Sequence, residues 1–236
     1  MPKVTVERFP TGSTPIDRLL RGGLPSCGVT LVYGEAGTGK TTLALQSAVA
    51  AGERGHTTFF IDADETFSAE RLMQMTAGDP EEVSQLIGIF SPRSFYEQTI
   101  LVESLNRLIA GRRGLLVIDS INRLYRLAIT SLEQATALSR ELNRQLAYIT
   151  QTVRDHHMPA LLTSHVRSIL SDDLLVERIE PVAARTLQYW TTDVIHLKSG
   201  AAPGVKLAFL EKYGGRKLPH PPFCHVRVSE GGLEAV

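Results

Sequence analysis

Gly34-Glu35-Ala36-Gly37-Thr38-Gly39-Lys40-Thr41 decides how this chain reads. The stretch fits G-x-x-x-x-G-K-[ST], a loop whose glycines let backbone N–H groups curl around phosphate. In that pattern Lys40 reaches the β- and γ-phosphates, the Thr41 hydroxyl ligates Mg²⁺, and Thr42 continues the phosphate-facing stretch. Val29 to Tyr33, just ahead, is a short apolar strand. Lys40 to about Glu53 reads as a helix, so its positive dipole end points at the same phosphates. A glycine-rich turn carrying a solvated lysine is the bland alternative, and the flanking strand and helix argue against it.

A phosphate-bound Mg²⁺ needs a carboxylate to organise its water shell. Asp119 ends the apolar run Leu115-Leu116-Val117-Ile118 and is the candidate. An Asp at a strand end is often only a cap or turn residue. Beside a P-loop it reads as the metal-organising acid. Hydrolysis also needs a group that orients or deprotonates water. Asp62, Asp64 and Glu65 cluster after the strand Thr57 to Ile61, at the sheet edge where ligands of open α/β sheets sit. Three neighbouring acids form a solvated loop just as readily, and the residues alone leave both readings open.

Outward from the loop, strands and helices alternate. Ser68 opens a helix to about Thr76, Asp79-Pro80 starts a short one, and Leu86 to Phe90 is strand-like. Ser94 to Ala110 is helical, with Ile100, Leu101, Leu105, Leu108 and Ile109 on one broad face. Ser131 and Gln134 form a capping-box pattern ahead of a long helix to about His157. Ala160 to Thr163 is the next buried strand. Asp193 to Lys198, Val205 to Lys212 and His225 to Ser229 are strands joined by Gly- and Pro-containing turns. Alternating βα units predict a twisted, mainly parallel sheet flanked by helices, and the last strands predict an antiparallel extension.

With no visible linker, residues 1–236 are expected to form one domain. Lys+Arg and Asp+Glu both number 25, so net charge gives no argument for a nucleic-acid partner. Cys27 and Cys224 show no metal-ligand spacing and read as reduced cytosolic thiols. No apolar run is long enough to span a bilayer, and no signal peptide is visible, so a cytoplasmic protein without membrane contact is expected.

Three stretches resemble the RecA/RadA recombinase ATPase core. They are Thr11-Gly12-Ser13-Thr14-Pro15-Ile16-Asp17 with Gly22-Gly23-Leu24, Phe60-Ile61-Asp62-Ala63-Asp64-Glu65-Thr66-Phe67-Ser68 through Leu72, and Asp119-Ser120-Ile121-Asn122-Arg123-Leu124-Tyr125-Arg126. The likeness runs from about Phe9 to Glu230. Ser91-Pro92-Arg93-Ser94, Thr186-Leu187-Gln188-Tyr189 and Leu210-Glu211-Lys212 make it most similar to the short archaeal paralogues within that family.

The resemblance implies a RecA-like P-loop fold, ATP with Mg²⁺ as cofactors, and ATPase activity tied to DNA repair and homologous recombination. It also implies a single ATPase core lacking the family's amino-terminal helical DNA-binding domain. The family's polymerisation motif pairs a phenylalanine with an alanine three residues later. Phe9 here meets Gly12 instead, so long filaments are not expected.

The family's catalytic glutamate aligns with Asp64, one carbon shorter, with Glu65 beside it. The γ-phosphate sensor, usually glutamine, aligns with His165. Shortening the carboxylate predicts weak hydrolysis. Arg71 aligns with the base-stacking arginine; alternatively it is a surface arginine paired with Glu70 or Asp64. The two DNA-binding loops of the family map to Leu127–Thr130, flanked by Arg123 and Arg126, and to about Val166–Arg185, holding Arg167, Arg178 and Arg185. Asp172, Asp173, Glu177 and Glu180 share the second loop, which predicts weak single-stranded DNA binding. Lys212 and Arg216 are candidates for reaching a neighbouring subunit's nucleotide, or they form a solvated basic hairpin. The implied partners are a recombinase or another DNA-repair protein, so the expected role is a recombination accessory. A nucleotide-gated regulator of the wider RecA/KaiC-like group, with a protein partner, is the alternative.

Overall fold

The computed structural model describes residues 7–170 and 177–236. β1 (Arg8–Phe9), α1 (Thr14–Leu19) and β2 (Leu24–Pro25) lead into β3 (Val29–Gly34) and α2 (Lys40–Gly52). Next come β4 (Thr57–Asp62), α3 (Ala69–Met75), α4 (Pro80–Gln85), β5 (Ile87–Phe90), α5 (Phe95–Ile109) and β6 (Gly114–Asp119). α6 (Arg123–Ala128) and α7 (Leu132–Asp155) precede β7 (Ala160–Ser164), β8 (Val166–Leu170), β9 (Glu177–Pro181) and α8 (Ala184–Trp190). β10 (Asp193–Ser199), β11 (Val205–Tyr213), β12 (Arg216–Lys217), β13 (Phe223–Ser229) and β14 (Gly232–Ala235) follow.

A ten-stranded sheet runs β14-β13-β11-β10-β3-β7-β6-β4-β5, with β12 pairing β11. Strands β10, β3, β7, β6, β4 and β5 are parallel, and β11, β13 and β14 extend them antiparallel. This is the architecture expected from the sequence. A parallel sheet needs both faces covered, and β6 shows how: Leu115 and Val117 join the layer under α1–α4, while Leu116 and Ile118 join the layer under α5–α8. All four are fully buried. Each such side chain contributes about 1.5–3 kcal/mol relative to exposure, so a one-residue slip of β6 is strongly disfavoured.

That register places the ligand edge. Asp62 pairs with Asp119 and Tyr33 with Ser164, which brings the ends of β3, β4, β6 and β7 level. Between β3 and β4 the chain crosses over β7 and β6, opening a crevice at this edge.

Two local expectations are corrected. On α5, Leu105 and Ile109 are buried and Leu101 and Leu108 pack against the core as expected, but Ile100 is 46% exposed and the buried set also takes in Phe95, Gln98, Thr99 and Val102. The true stripe steps by three and four residues and includes a glutamine that hydrophobicity alone ignores. Gln98 Nε2 donates to Gln145 on α7 (2.8 Å) and to the Ile121 carbonyl (3.2 Å), so its amide N–H groups are paired inside the core, while its Oε1 has no partner among the described residues. Only half of the capping box forms. Ser131 accepts the Gln134 N–H, but the Gln134 side chain bonds the Thr130 hydroxyl.

The carboxyl-terminal extension is tied back across the chain. Ser13 donates to the Leu233 carbonyl at 2.6 Å, and Gln46 of α2 accepts the Leu233 N–H at 2.9 Å. Arg8 pairs with the fully buried Asp193 at 2.8 Å. Removing one partner of a buried pair leaves an uncompensated charge. Arg8→Ala is therefore expected to lower unfolding free energy by about 3 kcal/mol, measured by urea denaturation. Arg8→Ala with Asp193→Ala should recover part of that loss.

Candidate functional site

The loop from Gly34 to Lys40 is closed around backbone. Gly34 passes so near β10 that a Cβ would lie 2.2 Å from the Leu197 carbonyl oxygen. Gly39 stands ahead of α2 with φ 99°, and a Cβ there would press on Leu233 at 2.9 Å. Both sites need glycine for space, and Gly39 also for its left-handed backbone. The Thr38 hydroxyl and Lys40 Nζ each donate to the Glu35 carbonyl at 2.8 Å. Burial lowers the Lys40 pKa, against the opposing pull of the Asp119, Asp64 and Glu35 carboxylates. A cleft of about 250 Å³ opens here, lined by Gly37, Gly39, Lys40, Thr41, Thr42 and Val228.

Asp119 lies beneath this cleft and is 1% exposed. Its Oδ1 accepts a short hydrogen bond from Thr163 on β7. Its Oδ2 is buried with no hydrogen-bond partner among the described residues. Burial pushes the Asp119 pKa up; the Thr163 and Thr41 hydroxyls oppose this, and the Asp64 and Asp62 charges add to it. A buried carboxylate oxygen without a donor, beside a threonine hydroxyl and under a lysine, suits an Mg²⁺-bound water. The residues present thus fit an Mg²⁺–triphosphate. A cis peptide joins Asp119 to Ser120.

The three acids after β4 separate into different positions. Asp62 is buried and accepts the N–H groups of Thr66 (3.0 Å) and Phe67 (2.9 Å), which shapes the loop behind it. Glu65 is exposed, with φ 55°. Asp64 turns inward. It accepts the Ser120 hydroxyl at 3.1 Å and approaches His165 Nε2 at 2.8 Å, with Arg123 Nε 3.8 Å away. Burial would raise the Asp64 pKa, but the His165 contact, Ser120 and Arg123 outweigh it and leave the carboxyl below its usual range. The two departures from the family pattern, Asp64 and His165, therefore touch each other.

Arg71 pairs with neither Glu70 nor Asp64. It donates to Gln74 at 3.0 Å and to the Ser229 carbonyl, so it links α3 to the β13–β14 turn, next to Val228. The segment 166–185 is no simple loop: β8 and β9 pair antiparallel, and α8 begins at Ala184. Likewise Leu127 and Ala128 belong to α6. Arg167 is bound to Glu180 at 2.7 Å, and Arg126 and Arg185 are exposed. Asp172 and Asp173, and the side chains of Arg178 and Glu177, lie outside the described residues. Lys212 donates to the carbonyls of Gln188 and Thr191, closing the end of α8 within its own chain. Arg216 is exposed on β12. Phe9 is partly buried and lies 5.2 Å from the His56 ring.

Sequence reasoning missed Thr163, Ser120 and Val228. Thr163 was findable as the one polar residue before Ser164 in an apolar strand. Val228 carried no signal, because a distant hairpin brings it to the cleft.

Crossover topology, loop and buried carboxylate together define a P-loop nucleotide-binding fold of the RecA type. The Rad51 family model matches residues 3–205, and the chain belongs to that family. It is 35% identical to a DNA repair and recombination protein RadB of Thermococcus gammatolerans, over 96% of this chain and 98% of that one. RadB of Methanothermobacter thermautotrophicus is 34% identical, over 89% and 88%. A crystal structure described as the RadB recombinase superimposes with a TM-score of 0.79 at 32% identity, covering 97% of this chain and 99% of that one. Among the described residues no helix is long and apolar enough to cross a membrane.

The raised Asp119 pKa has a signed consequence. A carboxyl whose folded pKa lies above its unfolded value destabilises the fold once the pH rises past that unfolded value. Asp119→Asn is therefore expected to melt at a higher temperature than the parent at neutral pH without nucleotide. The gain should shrink as the pH falls and Asp119 becomes protonated, and thermal melts across pH measure it.

Proposed function

We propose that this chain binds ATP with Mg²⁺ at Gly34–Thr41 and hydrolyses it slowly, as a cytoplasmic accessory protein of homologous recombination and DNA repair. The observation that carries this reading is Asp119, buried at the strand end with a carboxylate oxygen open beside Thr41 and Lys40. Bound ATP and Mg²⁺ would supply the transferable phosphoryl group and neutralise its charge. Lys40 would exchange the Glu35 carbonyl for phosphate oxygens. Thr41 and Asp119 would hold the metal and its waters, and Arg71 with Val228 would border the base.

Asp64 is assigned to orient the attacking water or take its proton. A carboxylate already bonded to Ser120 and His165, with the Arg123 charge 3.8 Å away, is a weaker base, so proton removal slows. Slow turnover follows from that engagement as well as from the missing methylene. His165 is assigned to report phosphate, and its Nε2 can do so only by giving up Asp64.

Single-stranded DNA contact is assigned to Arg126, Arg185 and Arg178, with Arg167 and Arg123 contributing little while paired to Glu180 and Asp64. With so few uncommitted cations, binding is weak and salt-sensitive. A recombinase or another repair protein is the expected partner, as the names of the RadB relatives suggest. Contact with a neighbour's nucleotide is left to Arg216, because Lys212 is held inside its own chain. The Arg167–Glu180 pair also favours the second reading, a nucleotide-gated regulator whose partner is protein.

Lys40→Ala should abolish binding of a fluorescent ATP analogue. Asp64→Asn should keep binding and lose at least ~10² in turnover, the lower range for a general base, while Glu65→Gln should change little. The reverse pattern for the two acids would move the assignment to Glu65. Adding single-stranded DNA should alter the ATPase rate; an unaltered rate selects the protein-partnered regulator.

A further inference from the structure

Asn122 breaks a local rule. It stands ahead of α6, where asparagine ordinarily caps its own helix for about 1 kcal/mol, yet its side chain makes no cap bond. The amide is fully buried and turned the other way. Its Oδ1 accepts the His165 N–H at 3.0 Å. Its Nδ2 donates to Ser164 Oγ (2.8 Å), the His165 carbonyl (3.2 Å) and the Val182 carbonyl (3.3 Å). Val182 N–H in turn donates to the His165 carbonyl at 3.1 Å. One side chain thus grips both backbone groups of His165 and closes the base of the β8–β9 hairpin.

We propose that Asn122 is a positioning residue that holds the His165 imidazole on Asp64. The His165 side chain is 32% exposed, so packing restrains it only in part. Its approach to Asp64 Oδ2, at 2.8 Å, depends on where its backbone is fixed. A displacement of about 1 Å breaks a hydrogen bond of this length. An amide presents a donor and an acceptor together, and alanine offers neither. The same knot joins the hairpin to the end of β6, so movement at the hairpin base is transmitted to the Asp64–His165 contact through Asn122.

This inference rests on Asp64 being the hydrolytic carboxylate, and its test has an arm that does not need turnover. In the full chain with ¹³C-labelled histidine, His165 is assigned by His165→Ala. Asp64→Asn should shift the His165 ring resonances in the parent. In an Asn122→Ala background the same change should leave them still. In turnover, Asn122→Ala should raise kcat by roughly severalfold, because Asp64 released from His165 is a stronger base, with nucleotide affinity held within about twofold, and Asn122→Ala/His165→Ala should be no faster than His165→Ala alone.

A His165 resonance that still follows Asp64 in the Asn122→Ala background overturns the proposal, as does a lowered kcat in Asn122→Ala or a multiplicative rate change in the double variant. If the parent shows no turnover, the hydrolytic reading fails while the resonance arm still decides the role of Asn122. Should Asn122→Ala not fold by thermal melting, Asn122→Ser, which is polar but too short to reach His165, takes its place in both arms.

Discussion

The Asp119 carboxylate sits in the core with one oxygen bonded to Thr163 and the other given no donor. Burial of this kind is unfavourable for the ionised form, and the fold accepts it because β6 is fixed on both faces by Leu115, Leu116, Val117 and Ile118. A strand held that firmly cannot slide its terminal acid into solvent. The Lys40 ammonium nearby offsets part of the charge, and Lys40 is itself buried and held by the Glu35 carbonyl. Loop, buried acid and sheet register are therefore one arrangement: shifting any of them exposes an unpaired charge or an apolar strand face.

Around Asp64 the logic differs. Asp64 and His165 satisfy each other, with Ser120 and Arg123 completing the shell. A satisfied pair is stable and slow to react, whereas the orphaned oxygen of Asp119 favours a ligand. The same crevice thus holds one carboxylate with an unpartnered oxygen and one whose oxygens are already engaged. Several cations of this Rad51-family chain are engaged internally. Arg167 is bound to Glu180, Arg71 to Ser229 and Gln74, and Lys212 to the end of α8.

Much of this was legible in the residues because it is local. Glycines at 34, 37 and 39 with Lys40 describe a loop by their spacing, and Asp119 is marked by the apolar run it ends. Both-face burial makes parallel strands read as continuous hydrophobic runs, which is why β3, β6 and β7 were found within a residue of their bounds. On α5 only Ile100 departs from the expected face, and Gln98 joins the buried set through an amide partner on α7. The hairpin β8–β9 was read as loop because its charged side chains hide the alternation of a strand.

By itself the sequence determined the glycine-rich loop, the acid that ends β6 and the mainly parallel sheet, since each follows from the order of neighbouring residues. The tertiary structure alone decided which side chain meets which across that order. It chose Asp64 over Asp62 and Glu65 as the inward acid, placed His165 and Ser120 upon it, and turned Asn122 from its own helix to His165. The physical reason is reach. A hydrogen bond is won or lost within about 1 Å, and positions 64, 120 and 165 are brought to that tolerance only by strand register.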